Sequence, residues 1–202
     1  MSSQTRTFLA LPIPADIVSA LGRLRRRIEP EVDGMRWVEP ATLHVTLAFL
    51  GDVDHSDLPG LCRRVVEVTS PFEPLPLEVQ GLGAFPRPSS VRTLWAGLAG
   101  EGLARLVSLQ SALSSAMREC GYPPHEKGAY NPHLTLARAR TGRHGSRPPD
   151  LASLMEKHRN TRVGGFLVRE VVAYSSTLSP DGPEYAPLAR ARLVGPNFQA
   201  PA

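Results

Sequence analysis

Two copies of one tetrapeptide carry the side chains best suited to chemistry. His-Val-Thr-Leu at residues 44–47 returns 89 residues later as His-Leu-Thr-Leu at residues 133–136, and a proline stands shortly before each copy. With six His, ten Thr and 42% apolar residues, about 0.05 copies of this pattern are expected by chance. The recurrence therefore indicates a pair of functional motifs.

In a β-strand, the histidine and the threonine of each motif would lie on the same face. Side chains alternate along a strand with period two, so His44 and Thr46 share one face, while Val45 and Leu47 anchor the strand in a core. The second motif follows the same rule. Two such strands that face each other across a cleft would bring two imidazoles and two hydroxyls into one small volume.

Two imidazoles and two hydroxyls are sufficient for acid–base chemistry on a phosphodiester. Because the ordinary pKa of histidine is about 6.5, one ring can be neutral and the other protonated near neutral pH. The neutral ring takes a proton from water, and the protonated ring gives one to the departing oxygen. Threonine hydroxyls donate hydrogen bonds to phosphate oxygens. This chemistry suits a strained cyclic phosphate and requires no metal.

The paired motifs resemble those of the 2H phosphoesterase superfamily. The flanking residues resemble its bacterial and archaeal branch of RNA 2′,3′-cyclic phosphodiesterases, which has also been described as 2′-5′ RNA ligase. The resembling stretches are spread over nearly the whole chain: residues 6–12, 36–38, 43–51, 81–86, 94–97, 132–138 and 179–185.

The resemblance implies an α+β fold with two lobes related by pseudo-twofold symmetry. Two mostly antiparallel sheets with flanking helices are expected, with the two motifs facing each other in a cleft between the lobes. Residues 1–202 are expected to form this single bilobal domain. The implied activity is hydrolysis of a terminal 2′,3′-cyclic phosphate on RNA to a 2′-phosphate, with reversible 2′-5′ ligation as a further activity.

Motif position assigns the catalytic roles that the resemblance implies. His44 would be the proton donor to the 3′-oxygen, and His133 would be the proton acceptor that activates water. Thr46 and Thr135 would bind the non-bridging phosphate oxygens. No cofactor and no metal are implied. A shared metal site is disfavoured because no acidic residue lies within either motif, and the other four histidines stand in unlike contexts.

Two residues just after the motifs are candidate substrate contacts. Arg138 would grip phosphate or stack on a base, but strict alternation turns it away from His133 and Thr135 unless a bulge intervenes. Phe49, like Trp95, could stack on a base or pack in the core. The basic stretch 140–149 could follow an RNA backbone or be a solvated loop.

Two other classes of function fit the same motifs. One is an RNA-binding module that recognises a terminal phosphate without turnover. The other is a 2H enzyme that opens a different cyclic phosphate or trims RNA 3′ ends. Product analysis separates both from the expected reaction.

Composition is that of an ordinary folded protein. The 202 residues are 42% hydrophobic and 21% charged, which excludes a disordered chain, and no run approaches the ~18 apolar residues of a membrane span. The net charge of +4 comes from arginine, since only Lys127 and Lys157 are lysines. This charge favours an anionic partner such as RNA, although a GC-rich genome would favour arginine equally.

A cytoplasmic monomer is expected. Cys62 and Cys120 have neither metal-ligand nor redox spacing, so they are interpreted as free thiols in a reducing compartment. Pro12 and Pro14 cut the apolar run near the N terminus, which does not fit a secretory signal. The expected partners are RNA ends with a 2′,3′-cyclic phosphate or cyclic nucleotides, and no membrane.

Mixed strands and helices must position the motifs. Strand patterns and helix patterns alternate without a regular strand–helix–strand repeat, which favours an α+β fold with largely antiparallel sheets. Strands are predicted at about 6–13, 42–50, 77–85, 91–98, 132–139, 166–178 and 186–194. Helices are predicted at about 16–28, 58–68, 103–117 and 150–159, the third of them capped by Gly121.

Overall fold

Nine strands and four α-helices form within the residues that the computed structural model describes, which are 3–125, 128–140, 149–179 and 182–196. In chain order they are β1 (Gln4–Pro12), α1 (Ala15–Ile28), β2 (Met35–Trp37), β3 (His44–Asp54), α2 (Leu58–Thr69), β4 (Leu75–Arg87), β5 (Ser90–Ala99), α3 (Leu103–Glu119), β6 (His133–Ala139), α4 (Ala152–Lys157), β7 (Arg162–Val168), β8 (Glu170–Ser179) and β9 (Gly182–Arg192). Short 3₁₀ turns lie at Glu29–Glu31 and Pro40–Thr42.

The strands form one antiparallel sheet in the order β7-β4-β5-β6-β3-β1-β8-β9, and β2 pairs with β6 beside this path. The two motif strands, β3 and β6, meet in the middle through a single residue pair, Val45 with Leu134. We call β3, β1, β8 and β9 the β3 half, and β6, β5, β4 and β7 the β6 half. The expected α+β fold is confirmed, and its two expected sheets are two halves joined at this one pair.

Apolar periodicity explains which faces are buried. In α1, Ile17, Leu21, Leu24 and Ile28 recur at helical spacing and are all buried. Helices α2 and α3 pack on each other, α2 also contacts β8 and β9, and α3 contacts β3 and β4. The helices thus cover the sheet face that carries the apolar motif residues. None of the described helices is long and apolar enough to cross a bilayer.

The end of α3 shows a turn that the sequence predicted. Gly121 has a φ of +85°, and its N–H donates to the carbonyl of Arg118 while that of Tyr122 donates to Met117. These two hydrogen bonds are the Schellman arrangement, in which a glycine in the left-handed region ends the helix. The chain then turns toward the second motif.

Cys62 and Cys120 are free thiols.

One predicted strand was wrong in an informative way. The strand predicted at 166–178 is two strands, β7 and β8, which separate at Arg169 and belong to opposite halves of the sheet. β7 pairs with β4, and β8 pairs with β1 and β9. Periodicity shows which residues are extended but not which strand each one pairs with.

Smaller differences concern strand and helix ends. The three-residue strand β2 was not predicted, β9 begins at Gly182 instead of 186, and α4 is shorter than the predicted helix 150–159. Of the predicted basic loop, only Arg140 and Pro149 are among the described residues, so residues 141–148 lie outside them. The remaining predicted elements are confirmed to within two residues at both ends, except that β3 ends at Asp54 instead of 50.

We expect the junction of the two halves to be sensitive to loss of packing. Leu134 is fully buried at the pair that joins β3 and β6, so Leu134→Ala should lower the free energy of unfolding by about 2–5 kcal/mol. Urea denaturation measures the change. Leu188→Ala, at a position that is 37% exposed, is the control and should cost less than about 1 kcal/mol. Equal effects of the two substitutions would contradict this account of the junction.

Candidate active site

The pairing of Val45 with Leu134 sets the geometry of the site. In an antiparallel pair, residues directly opposite each other share a face. Extending the register by one residue places His44 opposite Thr135 on one side of the junction and His133 opposite Thr46 on the other. All four predicted motif side chains therefore lie on the same face of the sheet.

Both motif strands contain an extra residue directly after the threonine. Against β1, Thr46 is opposite Ala10 and Ala48 is opposite Leu9, so Leu47 has no partner of its own. Against β5, Thr135 is opposite Trp95 and Ala137 is opposite Leu94, which leaves Leu136 unpaired in the same way. A bulge of this kind breaks the alternation of side chains, and in each strand two successive residues are buried.

The bulges return the sixth residue of each motif segment to the cleft face. In β6 this residue is Arg138, which borders the same cavity as His44, Thr46 and Thr135. Strict alternation would have turned Arg138 away, and the bulge is the condition that reverses it. In β3 the corresponding residue is Phe49, which is half-buried and borders neither of the cavities described below.

Two side chains that the sequence analysis missed support the bulge of β3. The Tyr130 hydroxyl donates to the carbonyl oxygen of Thr46 at 3.0 Å, and the Gln110 side-chain amide donates to that of Leu47 at 3.1 Å. Carbonyl groups at a bulge lose their regular ladder partners, so these bonds compensate for the irregularity. Gln110 is a polar residue within a leucine-rich stretch of α3, and this was the only feature of the sequence that could have pointed to a role for it.

The His44 ring is held by its backbone and by two aromatic rings. Its Nδ1 donates to the Thr42 carbonyl at 2.7 Å, which leaves Nε2 as the nitrogen free for chemistry. The rings of Phe8 and Tyr185 lie with centroids 5.0 and 5.4 Å from it. Tyr185 is a third residue that the sequence analysis did not single out.

The His133 ring is held in the same manner in the other half. Its Nδ1 donates to the Asn131 carbonyl at 2.8 Å, again two residues upstream. Its ring centroid lies 5.0 Å from that of Phe85 and 5.9 Å from that of Trp95. Trp95 lies flat against Gly83, where the indole occupies the place that any Cβ would take. Trp95 thus supports His133 from within the sheet.

Two adjoining cavities open on the two histidines. A cavity of about 290 Å³ is bordered by His44, Thr46, Thr135 and Arg138. A second, of about 450 Å³, is bordered by His133 and also by Thr46, which is common to both. Tyr185 borders the first cavity, as do residues at the tip of the β8–β9 hairpin. The four motif side chains therefore line one continuous cleft.

Burial and nearby positive charge lower the pKa of both imidazoles. Burial lowers the pKa of His44 below 6.5, a hydrogen bond to Thr42 opposes this, and the charges of Arg138 and His133 lower it further. Burial likewise lowers the pKa of His133, against its bond to Asn131 and together with Arg138. A bound anion would offset the nearby positive charge and favour protonation of one ring.

No side-chain cluster suited to a metal occurs in the described part of the chain. Groups of three or more His, Cys, Asp or Glu side chains close enough to hold an ion are absent there. His55 lies 2.7 Å from the Thr5 hydroxyl, and His158 lies 3.1 Å from that of Thr161. His144 lies outside the described residues. Catalysis without a metal therefore stays a prediction.

Comparison with known proteins points to one family. The family described as LigT like Phosphoesterase matches residues 11–95 and 97–185. A protein of Methanothermobacter thermautotrophicus named RNA 2′,3′-cyclic phosphodiesterase is 30% identical over 190 residues, covering 94% of this chain and 100% of that protein. A protein of the same name from Thermus thermophilus is 32% identical over 197 residues, covering 94% and 91%.

Solved structures show the same fold. A Thermus thermophilus protein superposes with a TM-score of 0.75 at 26% identity, covering 94% of this chain and 98% of the other. Escherichia coli LigT complexed with 3′-AMP gives a TM-score of 0.72 at 25% identity, covering 95% and 99%. The similarity thus extends over nearly the full length in both sequence and structure.

The lowered histidine pKa values predict a pH-dependent stability. As the pH is lowered below about 6.5, the unfolded chain takes up protons at His44 and His133 before the folded chain does. The free energy of unfolding therefore decreases as the pH is lowered. The double variant His44→Asn/His133→Asn lacks both imidazoles, so their contribution to the pH dependence of the free energy of unfolding is lost. Urea denaturation at pH 7.5 and 5.5 should therefore show a smaller drop for the variant. Equal drops would contradict the lowered pKa values, since the carboxylates contribute alike to both proteins.

Proposed function

Since the chain belongs to the LigT-like phosphoesterase family of the 2H superfamily, we propose that it is an RNA 2′,3′-cyclic phosphodiesterase that uses two-histidine acid–base catalysis. One observation carries the proposal: adjacent antiparallel strands present two identical His–Thr pairs to one cleft, with both Nδ1 atoms fixed by backbone carbonyls. Relatives of the same family bear that name over nearly the whole chain length.

The cyclic phosphate binds at the junction of the two halves. Hydroxyls of Thr46 and Thr135, one from each half, donate hydrogen bonds to its non-bridging oxygens. Arg138 borders the same cavity and offsets the negative charge that builds up as water adds. A terminal nucleoside occupies the cavity beside His44, where Tyr185 offers an aromatic surface.

The two histidines act as base and acid across the phosphate. Neutral His133 takes a proton at Nε2 from water, and the water oxygen bonds to phosphorus. The bond from phosphorus to the 3′-oxygen breaks, and protonated His44 gives that oxygen its Nε2 proton. The product carries a 3′-hydroxyl and a 2′-phosphate. His133 then releases a proton to solvent and His44 regains one, which restores both groups.

In the free protein the lowered histidine pKa values favour the neutral form, which suits the base His133. The acid His44 becomes protonated only after the substrate binds. The lowered pKa of His133 keeps it neutral and able to accept a proton. His44 must be protonated, and a monoanionic cyclic phosphate beside it raises its pKa through opposite charge. The donor and acceptor order follows motif position.

The 450 Å³ cavity beside His133 supports ligation as a second activity. In ligation, a 5′-hydroxyl takes the place of the attacking water, the bond from phosphorus to the 3′-oxygen breaks as before, and space is needed on the side of the base. This cavity is bordered by polar side chains of α3, among them Ser111 and Arg118. The same site would then join RNA ends through a 2′-5′ bond.

Several properties accompany the proposed reaction. We propose that the enzyme works without a metal or cofactor, that it acts as a cytoplasmic monomer in RNA processing, and that residues 1–202 form a single bilobal domain. The division of the catalytic groups between the β3 half and the β6 half supports this last point, because neither half holds both histidines.

Loss of either imidazole should strongly impair turnover. His44→Ala and His133→Ala should each lower kcat for a 2′,3′-cyclic nucleotide by at least about 10²-fold, since each removes a proton-transfer group. The assay contains EDTA throughout and identifies the product by phosphorus NMR. His55→Ala, a histidine outside the cleft that contacts Thr5, is the control and should retain the wild-type rate.

Three results would contradict the proposed reaction. Binding without any product would indicate a recognition module. A 3′-phosphate or a shortened oligonucleotide would indicate a different 2H activity. Near-normal rates in either histidine variant would exclude the two-imidazole mechanism.

The pH profile should differ between kcat/KM and kcat. Because the imidazolium acid must be protonated and its pKa is lowered in the free protein, kcat/KM should already decline as the pH rises through 6.5. In the complex the substrate anion raises that pKa, so the decline of kcat should lie at higher pH. Steady-state rates between pH 5 and 10 test this. A kcat/KM that stays level from pH 6.5 to above pH 9 would argue against an imidazolium acid.

A further inference from the structure

Arg6 lies on the cleft face of β1 and stacks on Phe49. Phe8 is opposite Phe49 in the register and touches the His44 ring, so it marks the cleft face, and Arg6 is two residues away on the same strand. The guanidinium carbon of Arg6 lies 4.7 Å from the centroid of the Phe49 ring. This distance is within the range of a cation–π contact.

The positive charge of Arg6 is available to a ligand. Arg6 is exposed and takes part in none of the ion pairs found among the described residues, although Asp52 stands opposite it in the register. Burial raises the pKa of the Tyr185 hydroxyl, and the positive charges of Arg138 and Arg6 oppose this shift. The ring of Tyr185 lies against that of His44. Arg6 therefore lies near the cleft but outside the two cavities, whose own arginines are Arg36, Arg138 and Arg118.

Stacking on Phe49 orients the guanidinium without occupying its donors. An aromatic ring offers no lone-pair acceptor of the kind a phosphate has, so this contact leaves the five N–H groups of the guanidinium to donate to phosphate oxygens. Phe49 is itself held in place: its carbonyl accepts from the His125 N–H at 2.9 Å, and the His125 ring meets its edge with centroids 5.8 Å apart. The cation is thus preorganised, which reduces the entropic cost of binding.

Substrate chemistry limits which phosphate can reach this cation. In an RNA end with a 2′,3′-cyclic phosphate, both the 2′- and the 3′-oxygen are engaged in the ring. The chain continues only through the 5′-oxygen of the terminal nucleotide. Any further phosphate of the substrate is therefore the phosphodiester on that 5′ side.

We propose that Arg6, held over the ring of Phe49, binds the phosphodiester that precedes the terminal nucleotide. The site would make the enzyme selective for RNA ends over cyclic mononucleotides. This inference rests on the proposed function, because it assumes that the cyclic phosphate occupies the cleft between His44 and His133. It adds a subsite that the motif pair does not contain.

A comparison of substrates of different length tests the subsite. kcat/KM is measured for uridine 2′,3′-cyclic phosphate, for the dinucleotide ApU ending in the same group, and for that dinucleotide with an uncharged methylphosphonate linkage. The wild type should prefer the charged dinucleotide at least about tenfold over both others, since a charge-assisted hydrogen bond to phosphate is lost in each.

Substitution of Arg6 should abolish this preference. Arg6→Gln should lower kcat/KM for the charged dinucleotide about tenfold, through KM, and change the mononucleotide value less than about threefold. Arg6→Lys, which keeps the charge but not the planar fork, should fall between the two. Arg23→Gln removes an equal charge from an exposed position on α1 and should change neither value.

Two outcomes would overturn the subsite. An equal loss on the mononucleotide and the dinucleotide in Arg6→Gln would place Arg6 at the terminal phosphate. Equal wild-type rates with the charged and the methylphosphonate linkage would show that no phosphate is recognised there.

Product affinity separates this inference from the proposed reaction. Calorimetric Kd values for ApU 2′-phosphate and uridine 2′-phosphate need no turnover. A preference for the longer product that is lost in Arg6→Gln supports the subsite even if neither cyclic substrate is hydrolysed, and that lack of hydrolysis would contradict only the proposed function. No preference in the wild type would overturn the subsite.

Discussion

A single cross-strand pair determines the arrangement of the cleft. Val45 and Leu134 are the second residues of the two motifs, and they are opposite each other where β3 meets β6. Because the strands are antiparallel, matching an equivalent position with itself relates the two motifs by a twofold axis. Each histidine then has the threonine of the other motif across from it, and each cavity is bordered by groups from both halves.

The two bulges convert this pairing into a site with different ends. In a strictly alternating strand, the sixth residue of the motif segment would face away from the histidine and the threonine. One extra residue after the threonine of each motif turns Arg138 of β6 and Phe49 of β3 to the cleft face of the sheet, where Arg138 borders a cavity and Phe49 lies outside both cavities. The backbone is therefore nearly symmetric, whereas the chemistry at its two ends differs: a cation at one and an aromatic platform at the other.

The electrostatics link the site to its substrate. The two half-buried imidazoles beside Arg138 have lowered pKa values in the free protein, since burial and like charge both oppose protonation. In the proposed reaction, a phosphate anion supplies the compensating charge, so the acid would form once the substrate is in place. Backbone carbonyls at Thr42 and Asn131 fix the proton on Nδ1 of each ring, which confines proton exchange to Nε2.

The sequence by itself determined the local features: the repeated His–Thr pairs, most helices and strands, the glycine that ends α3 and the family resemblance. Each of these depends on residue types at short spacing. Only the tertiary structure decided that residues 166–178 divide between two halves and that Leu47 and Leu136 are bulged. It also decided that Tyr130, Gln110 and Tyr185 border or support the cleft, and that Arg6 lies over Phe49. Those features depend on which strands pair and in which register. Local patterns in a single sequence do not show this pairing, because it joins residues that are far apart in the chain.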